Sequence, residues 1–279
     1  MTTVKKTLAI ILASCVGLLA ILVILPHVDD IIRHCRYERA FRKSQKAIAE
    51  NIRSMSQSVL KGGEGSCYNL IILDESGSMT GLEDATIAGA NETISAIRAA
   101  ADSLPDLKQY LTMVTFSTRS RGDTLHVLND AAPIAEVTAL STEDYRPENM
   151  TPLYDAVGDM LMRMNRIVPE ESAVLVTIIT DGLENASCRY TSENLAQMIG
   201  MLEERGWTFT YLGANQNAIL EARKMGVFNA MNYDADVDGV KKMYGRERGS
   251  RIKYYGRLST SKSRMERMNA GKDYFEDNQ

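Results

Sequence analysis

The chain has 279 residues, 44% of them hydrophobic, which is enough for one substantial core with appendages. Its formal charge of −4 combines two unlike regions: residues 66–240 carry 11 Lys and Arg against 26 Asp and Glu, and residues 241–272 carry 11 against 2. An acidic domain before a basic end is typical of an interaction arm, and equally of a solvated helix or a disordered terminus. The four cysteines, Cys15, Cys35, Cys67 and Cys188, are scattered and no pair has metal-ligand spacing, so the sequence indicates neither a disulfide framework nor a zinc site. This cysteine usage favours a reducing compartment.

An apolar run lies near the amino terminus. Residues 8–25 follow Lys5 and Lys6 and end before Pro26, and as a helix they would rise roughly 27 Å, about the hydrocarbon thickness of a bilayer. We therefore expect a transmembrane anchor over residues 1–26. A cleaved signal peptide is the alternative, although no small-x-small cleavage pattern closely follows the run. More Lys and Arg follow the run than precede it, which favours a single-pass protein whose bulk faces the cytoplasm.

Residues 27–65 are predicted to form a basic helical stalk and a glycine-rich linker. The apolar residues Ile48, Ile52, Met55 and Val59 follow one another at helical intervals, and three glycines between residues 62 and 65 then break the pattern.

The acidic region alternates between apolar runs and amphipathic stretches. The runs predict strands at residues 69–73, 109–116, 123–128, 173–180, 207–212 and 228–233. Helical spacing predicts helices over residues 82–103, from near 152, over 195–202 and 216–225, and from about 237. This alternation predicts an α/β fold: a doubly wound, mostly parallel six-stranded sheet with helices on both faces, over residues 66–240. Such sheets bind ligands beyond the carboxyl ends of their strands.

Oxygen-bearing side chains stand at those strand ends. Asp74 directly follows the first apolar run and is followed by Ser76 and Ser78, Thr151 opens a helix, and Asp181 directly follows the run at 173–180. Hard oxygen donors of this kind suit Mg²⁺, with Mn²⁺ or Ca²⁺ as alternatives, and do not suit zinc. The pattern therefore predicts a divalent-metal site.

These five residues resemble the metal-ion-dependent adhesion site (MIDAS) of von Willebrand factor type A (vWA) domains, in which Asp-x-Ser-x-Ser precedes a distant Thr and a distant Asp. The bacterial-style Asp-x-Ser-Gly-Ser-Met at residues 74–79, Thr-Pro-Leu-Tyr-Asp at 151–155 and Thr-Asp-Gly at 180–182 extend the resemblance over roughly residues 66–235. It implies that the serines and the threonine ligate the metal directly, that the aspartates often act through water, and that a Glu or Asp of a protein partner takes the open position. Many relatives have glycine shortly before the threonine, where this chain has Asn149 and Met150.

Other classes of function fit the sequence less well. A dehalogenase-like phosphatase would need a second aspartate where Ser76 stands, and a serine hydrolase would need a usable histidine, whereas the chain has only His27, His34 and His126. We therefore expect a binding module and not an enzyme. A scaffold with a vestigial metal site is the remaining alternative. Its basic tail, residues 241–279, would act on nucleic acid through tyrosines among the basic residues, Tyr244, Tyr254 and Tyr255, or equally on anionic lipid or an acidic partner, including the acidic domain of another copy.

Overall fold

The computed structural model describes residues 28–55, 60–63, 65–118, 124–214 and 218–275. The predicted transmembrane run, residues 8–25, lies outside them. Across the described ranges, no helix is both long and apolar enough to cross a bilayer. Contacts divide the chain into two compact units, Met1–Ala47 and Ile48–Gln279.

Helix α1 (Val28–Met55) begins in the first unit and ends in the second. In the second unit, Ile48, Ile52 and Met55 are buried in the core, and the Asn165 side-chain amide donates to the Met55 carbonyl at 3.3 Å. The folded domain therefore begins at Ile48, before the glycine-rich linker where the predicted stalk was expected to end. The reason is that the apolar residues Ile48, Ile52 and Met55 pack into the core.

One six-stranded sheet organises the second unit. Its order is β3-β2-β1-β4-β5-β6, and every neighbouring pair is parallel except β2 and β3. The strands are β1 (Ser66–Asp74), β2 (Lys108–Phe116), β3 (Leu125–Pro133), β4 (Ala173–Thr180), β5 (Trp207–Ala214) and β6 (Asn229–Tyr233). The chain proceeds outward on one side of β1 and then returns to start β4 on the other, so the strand order reverses between β1 and β4. The predicted α/β fold with a mostly parallel six-stranded sheet is confirmed.

Helices cover both faces of this sheet. One apolar cluster joins one face to residues of α2 (Glu83–Ser103), α6 (Val237–Ser259) and α7 (Arg264–Ala270). The other joins the opposite face to the end of α1 and to α3 (Leu153–Ile167), α4 (Ser192–Glu203) and α5 (Ala218–Lys224). β4 and β5 are buried along their whole length, as their unbroken apolar sequences require.

The basic carboxyl-terminal segment differs from the predicted appended tail. The division expected at residue 240 falls inside α6, which begins at Val237. Tyr244, Tyr254 and Tyr255 are buried against the sheet and α2, so they cannot stack on nucleic-acid bases. The reason is periodicity: the buried residues of α6 recur at intervals of three and four, and the basic residues between them occupy the solvent face.

A buried polar network fixes α6 to the sheet. The Arg251 guanidinium is fully buried and donates to Glu247 Oε1 at 2.7 Å, to Thr177 Oγ1 at 2.8 Å and to Asn69 Oδ1 at 3.0 Å. The hydroxyl of Tyr274 also donates to Glu247 Oε1, at 3.1 Å. The segment after α6 is thereby part of the same compact unit.

Candidate functional site

The first part of the site is the turn that follows β1. Asp74 ends the strand, and its Oδ1 accepts a hydrogen bond from the Ser76 N–H at 2.7 Å. A short 3-10 helix, Gly77–Met79, then turns the chain so that the Ser76 and Ser78 hydroxyl oxygens lie 3.1 Å apart. The Gly77 N–H donates to the Asn149 carbonyl at 3.0 Å, which joins this turn to the loop before α3.

The second part follows β4 and meets the first. The Ser78 hydroxyl donates to Asp181 Oδ1 at 2.6 Å, and the Thr180 hydroxyl donates to Asp74 Oδ2 at 2.5 Å. The Ser78–Asp181 and Thr180–Asp74 hydrogen bonds thus cross the β1–β4 reversal, where a doubly wound sheet forms its binding crevice.

Thr151 completes the cluster from the loop before α3. The position that a Cβ on Gly182 would occupy lies 2.9 Å from Thr151 Oγ1, 3.3 Å from Ser78 Oγ and 3.5 Å from Asp74 Oδ2. Oxygens from the turn after β1 and from the loop before α3 therefore lie close to Gly182, which belongs to the loop after β4. The structure brings together all five predicted residues, Asp74, Ser76, Ser78, Thr151 and Asp181.

Burial shapes the electrostatics of the two carboxyl groups. Burial raises the pKa of Asp74 to about 6, although hydrogen bonds from Thr180 and Ser76 lower it and the charge of Asp181 raises it further. Burial also raises the pKa of Asp181. The ion pairs found among the described residues do not include Asp74. Two acids held close together in this setting favour a compensating cation.

The donor set fits a hard divalent ion. Three hydroxyl and two carboxyl groups supply oxygen alone, as Mg²⁺ and Mn²⁺ prefer. In the described part of the chain, no three His, Cys, Asp or Glu side chains cluster as a metal site would require. The fit therefore depends on the hydroxyl groups together with Asp74 and Asp181.

The loop before Thr151 contains Asn149 and Met150 and has no glycine directly before the threonine. Asn149 adopts a left-handed backbone conformation with φ of 63°, which asparagine tolerates better than most residues. Thr118 fixes the next residue, because its hydroxyl accepts from the Met150 N–H at 3.0 Å and its N–H donates to the Met150 carbonyl at 3.1 Å. Asn185 Oδ1 accepts from the Thr151 N–H at 2.9 Å. Asn149 thus adopts without glycine the left-handed conformation that this loop requires.

Two further acids, Glu184 and Glu75, lie beside the five residues, and Glu75 is buried. Its side chain is only 2% exposed and accepts from the Thr115 hydroxyl and the Arg146 N–H, each at 2.6 Å. Glu184 is half-buried and accepts from the Tyr154 N–H at 2.9 Å and the Ser187 N–H at 2.6 Å. Both acids organise loops around the site.

Sequence reasoning missed two further residues that hold the site in place. The Tyr145 hydroxyl donates to the Asp74 carbonyl at 2.7 Å. Asp155 is buried on the first turn of α3 and accepts from the N–H groups of Cys188, Arg189 and Tyr190. Asp155 belongs to the Thr-Pro-Leu-Tyr-Asp segment, so its place in that motif was the available signal, whereas no local pattern marks Tyr145.

Comparison with known proteins adds support for the fold. No protein-family model and no curated protein matches the chain. Among solved structures, the pilus adhesin SpaC from Lactobacillus rhamnosus GG aligns with a TM-score of 0.53 at 11% identity, over 70% of this chain and 32% of that one. Proximal thread matrix protein 1 from the mussel byssus aligns at 0.46 and 14% identity, over 67% of this chain and 46% of that one. Manganese-loaded TRAP from Plasmodium vivax aligns with a TM-score of 0.42 at 18% identity, over 64% of this chain and 72% of that one.

The aligned region spans less than half of the SpaC and byssus chains. At these identities the likeness concerns the fold alone. The sheet order defines the class of protein, an α/β domain with a mostly parallel six-stranded sheet, and the alignment with SpaC agrees with that fold.

Proposed function

We propose that this chain is a vWA-type binding module in which Asp74, Ser76, Ser78, Thr151 and Asp181 hold Mg²⁺, or Mn²⁺ or Ca²⁺ in its place. In this account, the partner is a protein that presents a Glu or Asp to the ion. The observation that carries the proposal is the convergence of Thr151, Ser78 and Asp74 oxygens beside Gly182, with Asp74 buried.

Each side chain has a role in this proposal. Ser76, Ser78 and Thr151 would ligate the ion directly, and Asp74 and Asp181 would act through water. The ion supplies a positive centre that accepts a carboxylate oxygen, and a charge-assisted contact of this kind gives both orientation and affinity. Asp74 orients the Ser76 backbone, and Asp181 orients the Ser78 hydroxyl, so the donors are preorganised.

The surface around the site supports a protein partner. Met150 and Leu183 directly adjoin Thr151 and Gly182 in sequence, and they are 50% and 54% exposed. Exposed apolar side chains beside a polar site are typical of an interaction surface. The partner's acidic residue is therefore proposed to have apolar neighbours that contact Met150 and Leu183.

Binding is proposed in preference to catalysis. Asp74 accepts hydrogen bonds from Ser76 and Thr180, and Ser78 donates to Asp181, so these groups are arranged to hold one another and an ion. A bacterial-type protein with a membrane anchor over residues 1–26 and its vWA domain in the cytoplasm remains our proposal for location, on the sequence evidence.

Water-proton relaxation with Mn²⁺ tests this function on the full chain. Bound Mn²⁺ that retains a water molecule raises the relaxation rate of bulk water, and acetate, as a model of the partner's carboxylate, should lower that enhancement by displacing the water. We expect both effects for the native chain. The double variant Ser76→Ala, Ser78→Ala should lose the enhancement because two donors are removed.

Ser259 and Ser261 provide the matched control, since they have the same spacing and lie at and just beyond the end of α6, outside the donor set. Their double alanine variant should behave as the native chain does. The proposal fails if native protein gives no enhancement, if acetate has no effect, or if the Ser76, Ser78 variant retains the full response.

A further inference from the structure

A groove runs between α2 and α6 on one face of the sheet, with a volume of about 1000 Å³. Ala88, Glu92 and Ala99 line it from α2, and Arg248, Ile252 and Gly256 line it from α6. None of the five proposed metal ligands borders the groove. Ile252 is 55% exposed there, so a large apolar side chain borders the groove at the surface.

Gly89 of α2 and Gly256 of α6 differ in the space that surrounds them. A Cβ on Gly89 of α2 would lie 2.0 Å from the ring of Tyr244, so packing within the chain requires glycine there. A Cβ on Gly256 would meet nothing within 4 Å. Gly245 of α6 is equally open, so open space alone does not distinguish Gly256, but Gly256 lines the groove and Gly245 does not. A glycine at this place in the groove lets another backbone approach closely.

The two walls of the groove carry opposite charges. The exposed ionisable residue on the α2 wall is Glu92, and that on the α6 wall is Arg248. Beyond the groove, the exposed charged residues of α6 after its first turn are basic: Lys241, Lys242, Arg246 and Lys253. Within the described ranges, no ion pair joins Glu92 to Arg248.

A surface with one acidic and one basic wall is complementary to itself. In a two-fold symmetric pair, a contact between two positions occurs twice with the roles exchanged. If α2 of one copy lies against α6 of the other, Glu92 faces an arginine in both halves of the interface. The same arrangement places the Gly256 backbone where a helix can approach closely and covers Ile252.

We propose that this groove is a self-association surface, and that two copies of the chain pair through it with Glu92 of each copy against Arg248 of the other. The second copy is the occupant that this charge pattern favours, because one surface supplies both complementary walls. This inference is independent of the metal site, since its residues are distinct from the proposed ligands.

Charge reversal with mixing tests the pairing, with the mass of the full chain measured in mild detergent by light scattering. Glu92→Arg should place arginine against arginine, and Arg248→Glu should place glutamate against glutamate, so each variant alone should dimerise about a hundredfold more weakly. An equimolar mixture of the two variants should form a heterodimer, because both of its charge contacts are then complementary.

The mixture distinguishes loss of the charge contacts from damage to the fold as the cause of weaker dimerisation, because damaged variants would not recover when mixed. A monomeric native chain, single variants with native dimerisation, or variants that weaken but fail to recombine would each overturn the proposal. As an independent arm, Gly256→Gln should weaken dimerisation by obstructing the close approach. Gly200→Gln is the matched control, because Gly200 is an exposed helical glycine on α4 whose Cβ would also meet nothing within 4 Å. Equal effects of the two glutamine variants would contradict the proposed surface.

Discussion

Asp74 lies buried at the end of β1, where Ser76 and Thr180 donate hydrogen bonds to it. In the metal-free protein, burial raises the pKa of its carboxyl group from 3.8 to about 6. The folded state therefore holds this proton more tightly than the unfolded state does. Above pH 6 the ionised Asp74 therefore lowers the free energy of unfolding by about 3 kcal/mol. This loss disappears as the pH falls through the folded pKa towards 4.

We accordingly expect Asp74→Asn to raise the free energy of unfolding in EDTA at pH 7.5, with a gain that shrinks towards pH 4.5. Excess Mg²⁺ should reverse the order, because only the native chain would gain the binding free energy of the ion. Urea unfolding across this pH range measures both effects. A variant that is less stable than the native chain in EDTA at every pH would contradict this account of Asp74.

Gly182 is the residue around which the site oxygens gather. An alanine there would place its Cβ 2.9 Å from Thr151 Oγ1 and 3.3 Å from Ser78 Oγ, so these donors would have to move apart. We expect Gly182→Ala to weaken Mn²⁺ binding at least about tenfold while the cooperative unfolding transition remains. Gly200→Ala, on an exposed helical position, should leave Mn²⁺ affinity unchanged. Native affinity in Gly182→Ala would show that the ion does not lie among these oxygens.

Asn149 holds the loop before Thr151 in a left-handed conformation. Glycine can adopt it freely, and a β-branched residue cannot, so Asn149→Gly should be close to neutral and Asn149→Val should cost roughly 1–3 kcal/mol of stability. Chemical denaturation of the two variants tests the difference. Equal stability of the glycine and valine variants would mean that this backbone conformation is not required.

At the scale of elements, most strands and helices of the domain could be predicted from the sequence because local apolar periodicity marks them. The exceptions are β3, which extends beyond the predicted residues 123–128 to Pro133, and α7, which no predicted pattern covered. Asp74 and Asp181 could be predicted as site residues because each directly follows a buried strand. The supporting contacts could not, because their partners are distant in sequence. Glu75 is held by Thr115, 40 residues away, and Arg251 donates to Asn69, 182 residues away.

Helix α6 contains a buried ion pair whose contribution to stability can be measured. Its Arg251 and Glu247 are buried together, so removal of one partner leaves the other charge uncompensated. Arg251→Met should lower the free energy of unfolding by about 3–5 kcal/mol, and adding Glu247→Gln should recover part of that loss. Urea unfolding of the single and double variants measures this coupling. Additive losses would mean that the two residues act independently.

At the scale of the whole molecule, the acidic domain and the basic segment are one compact unit. The charge asymmetry that suggested a separate arm arises because α6 buries its tyrosines and most of its apolar side chains and exposes its basic ones, apart from the buried Arg251. This unit has two surfaces with separate proposed tasks: the rim at the carboxyl ends of β1 and β4, and the groove between α2 and α6. The central proposal is that the rim binds a divalent metal ion.

Calorimetric titration of Mg²⁺ into the full chain tests that claim most directly. We expect one ion per chain, loss of binding in Asp74→Ala, and affinity within about threefold of native in Glu148→Ala, which removes an exposed acid from the loop near the site and keeps the donor set intact. A native chain that binds no ion, or an Asp74→Ala variant with native affinity, would contradict the account. So would equal losses in the two variants, because they would reduce the site to general negative charge.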